Sequence, residues 1–314
     1  MTTVYKLHCI KICNKYITPA TSKALQARKR THRKSTATFP MHIDTAQFRD
    51  NAEWIADLFA KDEIEITISE KCHGSSHRYG YTLDDIEPNV FQNILKKVGF
   101  KIKPKQEYKY MSGTRRVILR GGEVGYYKNE DFRHNACLPF YNQLRKGELV
   151  YFEIVGWAGT NERIMGPQDT TKLKDGLMCK LYGDKMEYNY NCKPGEFDVY
   201  VYRIAMVNPD GFVIDLPWKQ VKERCYSLGV KHTPELYNNA WLVKDCPPEN
   251  LVELVTFSAV GPSVIDKTHI REGVVIRVDD AHGTRFFKYK SFEFGVLEGY
   301  LKEQDDYVDM EEAA

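Results

Sequence analysis

The stretch Ile64-Glu65-Ile66-Thr67-Ile68-Ser69-Glu70-Lys71-Cys72-His73-Gly74 is the most informative part of this chain. Apolar and polar residues alternate along it, which predicts a β-strand over residues 64–70. Successive side chains of a strand point to opposite faces, so the three isoleucines should share the core face with Glu70. Lys71 should then emerge on the polar face, toward a cleft or solvent. A single lysine at a strand end is most often an ordinary surface residue, so the rest of the chain must decide its role.

A chemical role for Lys71 is suggested by the residues that follow it. His73 and Gly74 come directly after the strand, and a glycine there leaves room for a bulky anionic ligand, although glycine also marks ordinary turns. A lysine held rigidly at such a point could act as a nucleophile and form a covalent lysyl adduct.

The composition is that of an intracellular protein with a substantial core. The 314 residues are 42% hydrophobic and 12% aromatic, enough for one large or two modest domains. No apolar run reaches the length of a transmembrane helix or a secretory signal, so we expect no membrane association. The eight cysteines lack any CxxC pair, which favours reduced thiols. We predict a cytoplasmic location, and a phage-encoded protein in a host cell or organelle targeting remain alternatives.

The charge is distributed unevenly along the chain. Residues 1–40 hold nine Lys or Arg and no Asp or Glu, whereas the remainder has 36 basic and 43 acidic residues. We predict a basic N-terminal extension at 1–40, a main domain at 41–300 and an acidic C-terminal tail at 301–314. The extension could bind RNA, be disordered, or serve as a transit peptide.

Hydrophobic periodicity predicts an α+β fold with largely antiparallel sheets flanked by helices. The predicted elements are helices at 45–60, 84–98 (with Asp84 or Asp85 as N-cap) and 215–228, and strands at 64–70, 77–82, 149–156, 197–204, 272–279 and 285–291. The last two strands should form a hairpin. The long connection at 157–196 is poor in pattern, so we expect a lid-like or substrate-facing loop there.

The hairpin carries a second group of charged residues. Lys288 and Lys290 are spaced by two and should point the same way, and Glu272 comes just before the partner strand. A carboxylate beside two lysines could form a metal and phosphate site. A cross-strand ion pair, which contributes little at a surface, is the alternative.

Three further positions could take part in such a site. Glu153 lies inside an apolar strand, where a charge is costly unless it is paired or used. Tyr200 and Tyr202 should share a strand face, and one of the rings could stack on a nucleobase, although such aromatics usually belong to the core. Arg115 or Arg116 could hold a phosphate.

Six motifs occur in a suggestive order. They are Lys-x-His-Gly (71–74), Ser-Gly-Thr-Arg (112–115), Phe-Glu-Ile-Val-Gly (152–156), Tyr-x-Tyr (200–202), Glu-Gly-Val-Val-Ile-Arg (272–277) and Lys-x-Lys (288–290). The series resembles the covalent nucleotidyltransferase superfamily, which comprises polynucleotide ligases and mRNA capping enzymes. The histidine at the third position of Lys-x-His-Gly, His73, resembles the pattern of the RNA ligase 2 branch. DNA ligases and capping enzymes more often carry aspartate there. The resemblance spans about residues 62–291.

The resemblance implies a nucleotidyltransferase domain, the ATP-grasp-like adenylation domain of ligases, and a role for each motif. Lys71 would be the adenylylated nucleophile. Glu70 would help to recognise adenine, Tyr202 (or Tyr200) would stack on it, and Glu153 would bind the ribose hydroxyls. Arg115 (or Arg116) would contact the ribose or the nucleic acid end. His73 and Gly74 would shape the phosphate pocket, Glu272 would support the metal, and Lys288 and Lys290 would bind the α-phosphate.

The implied activity is that of an ATP-dependent RNA ligase. Its cofactors would be ATP and Mg²⁺ or Mn²⁺, its partner RNA with 3′-hydroxyl and 5′-phosphate ends, and its state a monomer. A ligase for DNA or mixed nicks, a capping guanylyltransferase, and an end-binding protein without catalysis are the alternatives. The intact set of lysines and glutamates disfavours the last of these.

The sequence also departs from the family pattern. Ser75-Ser76 replaces the Thr-Asn pair of the best-known double-strand nick sealers, and Tyr202-Arg203 stands where ligases often have Phe-Asp. Because 24 residues follow Lys290, we expect no downstream OB domain. These departures leave open which RNA ends are joined.

Overall fold

The computed structural model describes residues 35–43, 45–61, 64–86, 98, 105–119, 131–173, 176–238 and 250–299, and the backbone alone of 4–7, 10–14 and 131. Its strands are β1 Val4–Leu7, β2 Ile10–Asn14, β3 Ala46–Gln47, β4 Glu65–Lys71, β5 Ser75–Asp85, β6 Gln106–Thr114, β7 Ile118–Leu119, β8 Glu148–Gly159, β9 Glu162–Arg163, β10 Gln168–Asp169, β11 Lys185–Met186, β12 Phe197–Val207, β13 Val213–Asp215, β14 Lys231–His232, β15 Glu235–Asn238, β16 Gly273–Asp280 and β17 Gly283–Lys290. Its helices are α1 Ala52–Ala60, α2 Asp131–Cys137, α3 Leu177–Tyr182, α4 Trp218–Leu228, α5 Leu251–Ala259 and α6 Phe292–Leu297, with 3₁₀ turns at Leu138–Phe140 and Thr170–Lys172.

Two large sheets organise the described residues. The first has the order β13-β12-β8-β5-β6-β7, with β14 on β12 and β9 on β8, and the second has the order β15-β4-β16-β17-β3. Among the described pairs, β12–β14 and β17–β3 are parallel and the others are antiparallel. The predicted α+β class with largely antiparallel sheets is confirmed.

The smaller sheet confirms the predicted alternation along β4. Ile64, Ile66 and Ile68 are buried in a cluster with side chains of α1 and α5. Glu70 follows them in the alternation and is fully buried, and Lys71 points to the opposite face. Both residues contribute to the lining of a cleft. The hairpin of β16 and β17 also follows the prediction closely.

The larger sheet carries the main hydrophobic cluster on one face, where α2 and α4 pack. Helix α4 was expected at 215–228 and begins at Trp218, because Pro217 precedes it in an extended conformation. Its predicted inward side chains are all buried: Trp218, Val221, Cys225 and Leu228. Gly229 ends the helix with a φ of 67°, as the glycine signal indicated.

Two predicted helices differ from the structure. The helix expected at 45–60 begins at Ala52, and Ala46–Gln47 instead pair with β17. Asp84 and Asp85 are not N-caps, because they continue β5 in register with Glu107 and Gln106 of β6. Strand pairing with a distant segment overrides the local capping signal here. The rest of the helix predicted at 84–98 falls, apart from 86 and 98, outside the described residues.

The segment at 157–196 is built of short elements rather than being an open loop. Its apolar side chains Met178, Met186, Tyr188 and Tyr190 are buried in the main cluster. Met165 lines the cleft, so one part of the segment does face the expected site.

The segment before β3 packs across both sheets. Phe39 is fully buried beneath the guanidinium of Arg78, which lies 4.7 Å from its ring centroid and donates a hydrogen bond to Pro40 O at 2.7 Å.

The predicted division into 1–40, 41–300 and 301–314 stays a prediction. Among the described residues, no helix has the length and apolarity needed to cross a membrane.

Candidate active site

A cleft lies between the polar face of the smaller sheet and the larger sheet. Thr67, Ser69 and Lys71 of β4 line one wall, as the alternation predicted. Ser76 of β5 and Glu153 of β8 contribute to the other wall. The cleft therefore collects side chains that are far apart in sequence.

Lys71 contacts a buried carboxylate at the end of this cleft. Its Nζ lies 2.7 Å from Glu272 Oε1, and Lys290 Nζ lies 3.1 Å from the same oxygen. The strand register explains the convergence, because Lys71, Gly273 and Lys290 stand side by side on β4, β16 and β17. A Cβ at Gly273 would lie 2.1 Å from Tyr289 O, and its φ is 153°, so glycine is required at the centre of this row.

The electrostatics of Glu272 follow from this enclosure. The side chain is fully buried, and burial acts to raise its pKa. The positive charges of Lys71 and Lys290, with a hydrogen bond from His73, outweigh that effect and hold the pKa of Glu272 well below its ordinary value. Glu272 is therefore a carboxylate anion between two ammonium groups.

His73 is held against the same carboxylate. Its Nδ1 lies 3.3 Å from Glu272 Oε2, and its backbone N–H donates to Tyr190 Oη at 2.6 Å. The imidazole packs edge-to-face between the rings of Tyr188 and Phe294, at centroid distances of 4.7 and 4.9 Å. These contacts fix the turn that follows Lys71.

Gly74 lets the chain pass close to β8. A Cβ at this position would lie 2.4 Å from Ile154 O and 3.0 Å from Glu153 Cγ. The glycine of the Lys-x-His-Gly motif is thus needed for packing, which brings Glu153 beside the start of β5.

The structure distinguishes between the two candidate tyrosines. Tyr202 lines the cleft, and its hydroxyl is 2.8 Å from Ser76 Oγ. A register shift between Val201 and Arg203 occurs at this residue. Tyr200 lines a neighbouring pocket, and its hydroxyl donates to Asp198 Oδ2 at 3.2 Å.

The remaining predicted residues lie around the cleft in different ways. Arg115, the first residue after β6, lines it. Lys288 is half-buried and pairs in register with Val275. Val275 is the one of these two residues that lines the cleft. Glu70 is enclosed, and its Oε2 accepts a hydrogen bond from Val264 N at 2.7 Å. Burial raises the pKa of Glu70 above its ordinary value.

Two residues of the site were missed by the sequence reasoning. Glu298 Oε2 lies 2.8 Å from Lys290 Nζ, and the only local signal for the helix that delivers it is the N-cap Ser291. His42 lines the cleft with its ring edge-on to Tyr202 at 5.2 Å. Burial, followed by the positive charges of Arg203 and Arg115, lowers the pKa of His42 to about 3. No sequence pattern indicated His42.

Three of these residues could hold a divalent cation. Donor atoms of His73, Glu272 and Glu298 lie within 4.8 Å of one another. Carboxylate oxygens are the donors that suit Mg²⁺ or Mn²⁺, so the glutamates of this group fit such an ion.

Comparison with known proteins identifies the family of this chain. The family model described as RNA ligase matches residues 64–290, well over half of the chain. This chain therefore belongs to the RNA ligase family. No curated protein matches the sequence.

Solved structures of a Naegleria gruberi RNA ligase are similar in fold. An apo form of a mutant matches with 16% identity and a TM-score of 0.51, covering 92% of this chain and 65% of that one. A mutant form with ATP and Mn matches with 16% identity and a TM-score of 0.49, covering 87% and 60%. In these two matches, this chain spans less than two thirds of the length of the Naegleria protein.

Proposed function

We propose that this chain is an ATP-dependent RNA ligase that joins 3′-hydroxyl and 5′-phosphate ends through a lysyl-AMP intermediate at Lys71. The observation that carries the proposal is the contact between Lys71 Nζ and Glu272 Oε1 at 2.7 Å, with Lys290 Nζ 3.1 Å from the same oxygen. Membership of the RNA ligase family supports it. We propose that the protein acts as a monomer.

In the first step, the lone pair of Lys71 Nζ attacks the α-phosphorus of ATP. An N–P bond forms, the bond to the bridging oxygen breaks, and pyrophosphate leaves. A free lysine has a pKa of about 10.4 and is therefore mostly protonated. The Glu272 carboxylate orients the amine and favours its charged form, whereas the positive charges of Lys290 and of a bound divalent cation would favour release of that proton to solvent before the attack.

The α-phosphate is the group whose developing charge must be stabilised. Lys290 and Lys288 would bind its oxygens, and His73 with Gly74 would shape the pocket. Glu272 would hold a Mg²⁺ or Mn²⁺ ion, which would supply further positive charge beside the phosphoryl oxygens when bound.

The wider part of the cleft suits the nucleoside. Tyr202 would stack on adenine, and Glu153 would accept hydrogen bonds from the ribose hydroxyls. Glu70 and the adjoining backbone would contact the base, and Arg115 would contact the ribose or the RNA end.

In the second step, an oxygen of the RNA 5′-phosphate attacks the lysyl-AMP phosphorus, the N–P bond breaks, and Lys71 is regenerated. In the third step, the 3′-hydroxyl attacks the 5′-phosphorus. The phosphodiester forms, AMP leaves, and the hydroxyl proton is released.

The test is to incubate the protein with α-labelled ATP and magnesium and to measure label on the denatured chain. We expect labelling of the wild type and of Lys61→Ala, an exposed lysine at the end of α1, and none of Lys71→Ala. Label persisting in Lys71→Ala, or absent from the wild type, would overturn the proposal. Labelling by GTP instead would indicate capping.

The substrate is tested separately with nicked duplex RNA, nicked DNA, mixed nicks and single strands. We expect joining of RNA ends. Preferred joining of DNA would support the alternative of a ligase for DNA or mixed nicks, and end binding without labelling would support a protein without catalysis.

A further inference from the structure

The residues that follow the family-matched range of 64–290 fold back onto the candidate active site. Helix α6 begins directly after β17, capped by Ser291 Oγ, which accepts a hydrogen bond from Phe294 N at 3.2 Å. The helix buries Phe294 against His73. Glu298 follows its last turn, where its N–H donates to Phe294 O at 3.0 Å. The backbone of Glu298 is thus held in place independently of its side chain.

The neighbouring carbonyl is anchored to another part of the chain. Leu297 O accepts a hydrogen bond from Lys172 Nζ at 2.8 Å, which ties the end of α6 to the 3₁₀ turn Thr170–Lys172. The carboxylate of Glu298 therefore reaches the site from a fixed base.

The side chain of Glu298 points at one of the two lysines. Its Oε2 lies 2.8 Å from Lys290 Nζ, and the two side chains are only 11% and 13% exposed. The same ammonium lies 3.1 Å from Glu272 Oε1, so Lys290 is bound between two carboxylates.

The contact between Glu298 and Lys290 affects the charge balance of the site. Both ammonium groups lie within 3.1 Å of one oxygen of Glu272, and like charges this close in a poorly hydrated pocket repel one another. Glu298 adds a second carboxylate beside Lys290, so the attraction of this ammonium is divided between Glu272 and Glu298. Burial raises the pKa of Glu298, and the positive charge of Lys290 opposes that effect.

We propose that Glu298 is a positioning residue, which holds the Lys290 ammonium ready for the α-phosphate and leaves Glu272 to orient Lys71. The inference rests on the proposed function and extends it to a residue outside the family-matched range of 64–290. Glu298 acts through Lys290 and forms no bond to the reacting atoms.

The test measures the single-turnover rate of adenylylation with α-labelled ATP. We expect Glu298→Gln, which keeps the size and removes the charge, to lower the rate at least tenfold, and Glu298→Asp to recover part of it. Glu293→Gln makes the same charge change in the first turn of α6 and should react like the wild type. A wild-type rate for Glu298→Gln would overturn the proposal.

A double-mutant cycle with Lys290→Met separates positioning from a general structural effect. If Glu298 acts through Lys290, Glu298→Gln should cause no further loss in the Lys290→Met background, and an equal loss in both backgrounds would overturn the proposal. The double variant removes both charges of the pair, so it provides the same test if Glu298→Gln alone does not fold.

Failure of this inference is distinguishable from failure of the proposed function. A wild type that is never labelled would refute the lysyl-AMP pathway itself. Labelling at Lys71 in both the wild type and Glu298→Gln at equal rates would refute the role of Glu298 alone.

Discussion

Lys71 Nζ and Glu272 Oε1 are 2.7 Å apart, and the glutamate side chain is fully buried. The two residues are 201 positions apart in sequence and meet because β4 pairs with β16 in the register that sets Lys71 opposite Gly273. The nucleophile of the proposed reaction is therefore oriented by a charge on the residue just before the neighbouring strand.

Replacing this charge should affect stability and chemistry together. In Glu272→Gln, two ammonium groups lose their shared counter-ion, and breaking a buried ion pair from one side costs about 3–5 kcal/mol. We expect a lower free energy of unfolding in urea and loss of adenylylation. Glu65→Gln, at the exposed start of β4, should be neutral in both assays. An unchanged denaturation midpoint for Glu272→Gln would show that the pair contributes nothing.

Gly74→Ala tests the close approach of the Lys-x-His-Gly turn to β8. The added methyl group would lie 2.4 Å from Ile154 O, and a backbone oxygen can move only with its strand, so we expect a loss of about 1–3 kcal/mol and slower adenylylation. Gly166→Ala is the control, since no atom lies within 4 Å of a Cβ there. Equal thermal stability of the two variants would contradict the packing argument.

Tyr190→Phe removes the acceptor of the His73 N–H. The bond is 2.6 Å long and buried, and an unsatisfied buried donor costs about 1–3 kcal/mol. We expect lower stability and slower adenylylation, because the turn after Lys71 loses a fixed point. Tyr188→Phe is the control. The hydroxyl that it removes donates to Gln168 Oε1 at 2.9 Å, so adenylylation should change less. A larger effect in Tyr188→Phe would reverse our assignment.

His42 should make the stability pH-dependent. Its ring faces Tyr202, Tyr151 and Phe286, and burial followed by the charges of Arg203, Arg115 and Arg78 lowers its pKa from 6.5 to about 3. The unfolded chain therefore binds a proton below pH 6.5 that the folded chain does not bind. The contribution of neutral His42 to the free energy of unfolding is therefore present above pH 6.5 and is lost as the pH falls toward 3.

The measurement is urea denaturation at pH 7 and pH 5. The wild type should lose about 1–2 kcal/mol more than His42→Gln over this interval. His134→Gln, an exposed position on α2, should keep the wild-type pH dependence. Parallel pH profiles for the wild type and His42→Gln would contradict the neutral state of His42.

Deleting residues 1–34 removes nine basic residues and no acidic ones. Because phosphate contacts depend on such charges, we expect RNA binding to weaken more than adenylylation does. Deleting 301–314 is the control with the opposite charge. Equal loss of both activities on removal of 1–34 would indicate that this segment belongs to the fold.

Much of the fold could be predicted from local patterns. The alternation of Ile64, Ile66 and Ile68 was sufficient to assign Lys71 to the polar face, because side-chain direction in a strand depends only on position along it. The hairpin of β16 and β17 was likewise visible in its two alternating runs. Pairing between distant strands was not, which is why Asp84 and Asp85 were misread as helix caps.

The primary structure thus contained the order of the six motifs, the face of Lys71 and the identity of the candidate residues. The folded chain decided that Glu272 lies between two lysines and that Glu298 contacts one of them. It also decided that Tyr202 rather than Tyr200 lines the cleft, together with His42. The reason is physical: residues on separate strands meet according to sheet register and packing, which are set by contacts across the whole chain.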